Sequence, residues 1–164
     1  LLEVPEGELS IEAMHGFEFY PIAQKVQVEA GKTVTVKIPM PRMTDFSAEG
    51  WYSSDTHMHM NYGGNLRNTP ENMLLMAEAE DLHISHILAA NKDNRVIDYQ
   101  YFTGKPHPLS DENHILYFNQ EYRPPFYGHI SLLNLKQQLI SPFATGYEGT
   151  AIESLYPSNT ESFK

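Results

Sequence analysis

Three nearly continuous apolar runs constrain the fold of this chain more than any other feature of its sequence. The runs cover residues 84–90, 114–119 and 129–135. Runs of this length are typical of parallel strands that are buried on both faces. A helix is predicted before the first run, because Thr69 suits a capping position and Pro70 suits the first helical position. Strand, helix and strand in succession predict an α/β fold.

The predicted helix carries apolar residues over a broad face and ends near Asp81 and Leu82. Met73, Met76 and Ala77 recur at helical spacing along it together with Glu80, and Leu74 and Leu75 lie beside them. Methionine fills irregular gaps between packed elements, so we expect these methionines to lie in the core and not to bind a ligand.

The N-terminal part has a different pattern and predicts a separate β-rich segment, residues 1–48, before an α/β domain, residues 49–164. Polar and β-branched residues alternate in 25–28 and 33–38, and Gly31 supplies a turn between them. This pattern is typical of a β-hairpin. We expect one face of this hairpin to be buried, namely Val26, Val28, Val34, Val36 and Ile38.

The charge balance and the absence of cysteine limit the function. The chain has 11 Lys and Arg against 21 Asp and Glu, a formal charge of -10, which argues against a nucleic-acid partner. With 0 Cys, a metal site must use His, Asp or Glu. No apolar run approaches the roughly 18 residues of a membrane span. The sequence does not identify the cellular compartment, and export of the protein stays open.

A His-x-His pair at the end of a predicted strand indicates a metal site. Residues i and i+2 of a strand point to the same face, so His57 and His59 converge, with Asp55 behind them on that face. Met58 and Met60 then point into the core. Because the chain has 8 His, roughly 0.4 such pairs would occur by chance, so the pair needs support from other residues.

Polar residues at the ends of the other predicted strands supply that support. In α/β folds the reacting groups gather where parallel strands end. The segment 91–93 follows the first apolar run and Glu121 follows the second. His129 comes after a turn with two prolines and can fold back to the same edge. His57, His59, Glu121 and His129 are therefore the predicted metal ligands.

These residues resemble the start of a PHP domain, the polymerase and histidinol phosphatase superfamily. The similarity rests on Gly50-Trp51-Tyr52-Ser53-Ser54-Asp55-Thr56-His57-Met58-His59, then Gln120-Glu121-Tyr122 and Gly128-His129. More narrowly the chain is similar to CehA/McbA-type metallohydrolases, in which a sandwich-like β segment often precedes this motif. The resemblance covers roughly residues 24–164.

The resemblance implies a fold, a cofactor and a reaction. The fold would be the N-terminal part of a distorted (β/α)7 barrel, and the cofactor a divalent metal such as zinc, manganese or iron. His57 and His59 would be ligands of the first motif, Glu121 a carboxylate able to bridge two ions, and His129 the following ligand. The expected activity is hydrolysis of an ester, phosphoester or amide bond of a small-molecule substrate by metal-activated water.

Three departures from the family pattern shape these expectations. Ala90-Asn91-Lys92, with Asp93 next, stands where the family commonly has Thr-Asp-His, and Tyr62-Gly63-Gly64 stands where Ser-Asp-Gly is common. The last family motifs would lie beyond Lys164, so we expect an incomplete barrel that is a weak or inactive catalyst by itself. Uncovered strand edges in such a barrel favour a homodimer.

Two other functions remain open from the sequence. The first is a non-catalytic, metal-binding protein of the same fold, in which the altered second motif has removed activity. The second is a β-sandwich binding module whose His residues are incidental. Metal analysis separates the second from the others, and turnover of an ester substrate separates the enzyme from the first.

Overall fold

A computed structural model describes residues 1–61, 67–92, 95–123, 128–137, 139 and 158–163, with the backbone alone for residues 91, 92, 95 and 96. Three sequence expectations lie outside the described residues. They concern the segment 62–64, the side chains of 91–93, and the segment 151–155, where the sequence also predicts a short helix.

Seven strands and one α-helix form the regular structure of the described residues. They are β1 (Gly7–Ala13), β2 (Ile22–Val28), β3 (Ser54–Met58), α1 (Pro70–Ala79), β4 (Ile84–Lys92), β5 (Arg95–Ile97), β6 (Ile115–Tyr122) and β7 (Ile130–Leu132). Single 3-10 turns occur at Ser47–Glu49, Tyr99–Tyr101 and Glu161–Phe163. The fold of this part of the chain is therefore mixed α/β, as the apolar runs predict.

The larger sheet has five strands in the order β3-β4-β6-β7, with β5 paired to β4. β3, β4 and β6 are mutually parallel neighbours, and α1 makes the connection from β3 to β4. β7 is antiparallel to β6. This differs from a regular strand and helix alternation, because the connection between β6 and β7 is too short for the dozen or so residues of a parallel crossover.

Side chains from β4, β6 and α1 form the core of the larger sheet on one of its faces. The cluster consists of Met60, Met73, Ile87, Leu116 and Phe118. Met58 packs against it. The prediction that Met58 and Met60 turn away from the two imidazoles and into the core is therefore confirmed.

Helix α1 begins as predicted but buries a narrower face. The Asn72 backbone N–H donates to Thr69 Oγ1 at 3.4 Å, which caps the helix, and Pro70 is its first residue. Met73 is 3 % exposed, whereas Met76 is 52 % exposed. The expectation of a broad buried face is wrong, because beyond Pro70 only Met73 and Ala77 are buried, with Leu74 partly buried beside them.

The smaller sheet pairs β1 with β2 in an antiparallel ladder from Gly7↔Val28 to Ala13↔Ile22. The predicted hairpin across Gly31 is wrong in its second strand, because residues 33–38, all of them described, form no strand. The turn itself is present, since the Lys32 N–H donates to the Glu29 carbonyl at 3.1 Å. A second ladder would be short there, because Pro39 and Pro41 lack the N–H groups that would extend it.

The predicted burial of the hairpin face is met in part. Val26, Val28, Val36 and Ile38 are half-buried, and Val34 is exposed.

The chain divides into two compact units, one made of Leu1–Trp51 with Ala79–Asp81 and the other of the remaining residues. The domain boundary after residue 48 stays a prediction.

No helix within the described ranges combines the length and the apolar character that crossing a membrane requires.

Candidate metal centre

The predicted ligands lie at one edge of the larger sheet because of the directions of its strands. β3 and β6 run parallel to β4, so both deliver their carboxyl ends to the same edge. β7 runs the other way, so its amino end, which His129 precedes, lies at that edge too. The antiparallel turn therefore brings His129 back beside Glu121. The sequence alone predicted that the chain folds back here, but not the antiparallel strand that does it.

The structure brings all four predicted ligands together around the carboxylate of Glu121. Glu121 Oε1 lies 3.5 Å from His57 Nε2 and 3.0 Å from His129 Nδ1. Glu121 Oε2 lies 2.9 Å from His59 Nε2. The rings of His57 and His59 meet edge to face, with centroids 5.2 Å apart. Spacing along a strand, together with parallel strand ends, accounts for this convergence.

The centre is buried on its carboxylate side and open on its imidazole side. The side chain of Glu121 is 2 % exposed and that of His59 is 16 % exposed, whereas that of His57 is 54 % exposed. Asn119 and Gln120, which precede Glu121 on β6, are buried as well. His57 is therefore a solvent-facing side chain of the cluster, while the carboxylate of Glu121 stays shielded from water.

The end of β3 is irregular at the His pair. The register with β4 shifts between Asp55 and Met58. The Asp55 carboxylate accepts a hydrogen bond from the backbone N–H of His57 at 2.9 Å. Asp55 thus fixes the backbone of the pair, which is a different role from supporting an imidazole ring.

The ring of His59 is oriented by a backbone carbonyl. His59 Nδ1 lies 3.2 Å from the carbonyl oxygen of Leu88 on β4, which can only accept. With Nδ1 donating there, Nε2 is the ring nitrogen that faces Glu121. Metal-binding histidines use the same arrangement, in which the second ring nitrogen donates to a carbonyl or a carboxylate.

A buried polar network holds the segment that follows His59. The backbone N–H of Asn61 donates to Asp98 Oδ2 at 2.9 Å, and Asn61 Nδ2 donates to Asp98 Oδ1 at 2.8 Å. Asn61 Oδ1 also accepts the N–H of Asn68, just before α1, at 2.7 Å. Sequence reasoning missed Asp98, because a carboxylate 37 residues from its partner leaves no local pattern.

Arg123 is a second residue that sequence reasoning missed. Its Nη1 donates to Glu121 Oε2 at 3.2 Å, and its side chain is 17 % exposed. The spacing Glu121-x-Arg123 was a signal for it, since residues i and i+2 of a strand share a face. Burial alone would raise the pKa of Glu121, but the hydrogen bond from His59 and the charges of Arg123, His59 and His129 outweigh it and lower that pKa to about 2.

The geometry fits a divalent cation. The ligand atoms of His57, His59 and Glu121 all lie within 4.8 Å of one another. A tetrahedral zinc site with bonds of about 2.0 to 2.2 Å places neighbouring ligand atoms about 3.4 Å apart. The contacts of 2.9 to 3.5 Å around Glu121 are close to that spacing. Two imidazoles and one carboxylate form a donor set that zinc, manganese and iron accept.

The remaining histidines of this unit lie away from the centre. His86 Nδ1 accepts a hydrogen bond from Asn119 Nδ2 at 2.9 Å, and burial lowers the pKa of His86 despite the opposing charge of Asp55. His83 and His114 precede β4 and β6 and so lie at the opposite edge of the sheet. The sequence predicts no site role for these three residues, and their hydrogen bonds are made within the fold.

Comparisons of the chain with protein-family models, with curated proteins and with solved structures gave no match.

Proposed function

We propose that this chain carries the metal centre of a PHP-like, metal-dependent hydrolase. His57, His59 and Glu121 hold a divalent cation, and His129 completes the ligand set. The observation that carries the proposal is the convergence of three imidazoles on one buried carboxylate at the carboxyl edge of a parallel sheet. Hydrolytic sites of α/β enzymes are built at this edge.

The chemistry follows from the donor set. A divalent cation supplies Lewis acidity and a water of lowered pKa, which suits the hydrolysis of an ester, phosphoester or amide bond. Glu121 neutralises part of the positive charge from a buried position, and the Leu88 carbonyl keeps the ring of His59 in place. The exposed face of His57 leaves room for a small-molecule substrate.

The fold proposed for this enzyme is a distorted (β/α)7 barrel, of which β3, α1, β4 and β6 supply the first part. The parallel order β3-β4-β6 supports this reading. The antiparallel β7 and the connection through β5 depart from strict alternation of strand and helix. The proposed metal is zinc, manganese or iron.

Elemental analysis and hydrolase assays test the proposed function together. The wild-type chain should retain a divalent metal after purification, and H57Q, H59Q and E121Q should lose it. H15Q is the matched control, because it also removes one imidazole. His15 lies in the other unit, where it contacts the Ala79 carbonyl. Equal metal retention by all variants would contradict a metal centre formed by these residues. Bound metal without turnover of ester, phosphoester or amide substrates would favour the non-catalytic alternative.

A further inference from the structure

The two oxygens of the Glu121 carboxylate have different partners. Oε1 contacts His57 Nε2 at 3.5 Å and His129 Nδ1 at 3.0 Å. Oε2 contacts His59 Nε2 at 2.9 Å and Arg123 Nη1 at 3.2 Å. One oxygen therefore contacts two imidazoles, whereas the other contacts one imidazole and a guanidinium.

This asymmetry bears on how many ions the centre holds. A carboxylate that bridges two divalent ions must offer one oxygen to each. A guanidinium keeps its positive charge throughout the pH range of proteins. Because Arg123 is 17 % exposed, water screens its charge weakly, and a second cation at Oε2 would be repelled.

The balance of charge also favours a single ion. Within the described residues, the candidate ligand group contains one carboxylate, Glu121. The combined positive charge of one divalent ion and Arg123 already exceeds the single negative charge of Glu121. With Arg123 in place, a second divalent ion at Oε2 would meet a fixed positive charge at close range in a partly buried place, whereas an uncharged side chain at position 123 would remove that repulsion.

We propose that the centre holds a single divalent ion and that Arg123 occupies the place of a second one at Oε2 of Glu121. This inference rests on the proposed metal function. It makes Arg123 a positioning residue, which acts through Glu121 by setting which oxygen is open to the ion.

Manganese binding to the full chain tests the inference without an activity assay. R123M removes the charge and keeps an apolar stem, and R123K is the matched control that keeps the charge. Each chain is stripped with a chelator, equilibrated with excess Mn²⁺, and analysed for ions per chain and by electron paramagnetic resonance. Circular dichroism confirms that each variant is folded.

Wild type and R123K should bind one ion and give the signal of an isolated Mn²⁺. R123M should bind a second ion and give the broadened signal of a spin-coupled pair. Two ions in the wild-type chain would overturn the inference whatever the variants do, and so would a folded R123M chain that still binds one. No ion in the wild-type chain would instead overturn the proposed function.

Discussion

Glu121 is the residue on which the candidate centre depends, because four basic side chains converge on one carboxylate that has little contact with water. Such a carboxylate is stable in its charged form only while its partners remain. The low pKa of about 2 expresses this balance, in which hydrogen bonding and neighbouring charge outweigh burial.

Removal of the Glu121 carboxylate should therefore destabilise the fold. Glu121→Ala leaves Arg123 and His59 partly buried without their anionic partner, and we expect a loss of about 3 kcal/mol in the free energy of unfolding. Denaturant titration measures this loss. Glu121→Gln keeps the shape and a hydrogen-bond acceptor and should cost less. An Ala variant as stable as wild type would contradict the description of the cluster.

His86 should make stability depend on pH. Burial lowers its folded-state pKa below 6.5, so the unfolded chain takes up a proton more readily. The stability contributed by neutral His86 is present above the unfolded pKa and is lost as pH falls towards the folded pKa. His107, whose pKa is also lowered by burial, acts in the same direction.

Denaturant titrations between about pH 8 and about pH 5 measure the effect of His86. H86Q keeps an acceptor for Asn119 and removes the titrating group, so it should lose less stability on acidification than wild type does. Identical pH profiles for the two chains would count against a half-buried imidazole that is neutral in the folded state at this position.

The convergence of the four candidate side chains was predictable from the sequence, but the residues that contact and support them were not. His57 and His59 follow from the period of two along a strand, and Glu121 and His129 follow from where strands begin and end. Asp98 and Arg123 act through contacts set by the packed fold. The hydrogen bonds of Asp98 to Asn61 join segments far apart in the chain, so no local pattern marks them.

At the scale of elements, the buried strands β4 and β6 were predicted correctly, whereas the second strand of the N-terminal hairpin was not. β4 and β6 were predictable because each contains an apolar run, residues 87–90 and 115–118, most of which is buried. The segment 33–38 alternates as well as β2 does, yet alternation alone does not specify a hydrogen-bonding partner. The antiparallel direction of β7 follows from the length of the turn and not from its residues.

Two methionines of α1 provide a matched test of its buried face. Met73→Ala should cost about 2 to 5 kcal/mol, because Met73 packs in the core cluster with Ile87 and Phe118. Met76→Ala should change stability by about 0.5 kcal/mol or less, because Met76 is 52 % exposed. Thermal unfolding of both variants measures the difference. Equal losses would show that the helix packs through a broader face.

At the scale of the whole molecule, β3 forms an edge of the larger sheet in the part of the chain that the structure describes. β3 ends the strand order and, within the described residues, pairs with β4 alone. Unpaired strand edges favour association with another chain. The homodimer expected from the sequence stays a prediction. Light scattering at several protein concentrations should give twice the mass of one chain, and a mass of one chain throughout would contradict it.

Calorimetric titration of Zn²⁺ into the chelator-treated chain tests the central claim most directly. We expect saturable binding to the wild-type chain, and binding to E121Q weaker by at least about a hundredfold, since loss of supporting partners alone costs about 10- to 100-fold. H15Q should bind as wild type does. Equal affinity in wild type and E121Q, or no binding by the wild-type chain, would contradict a metal centre built on Glu121.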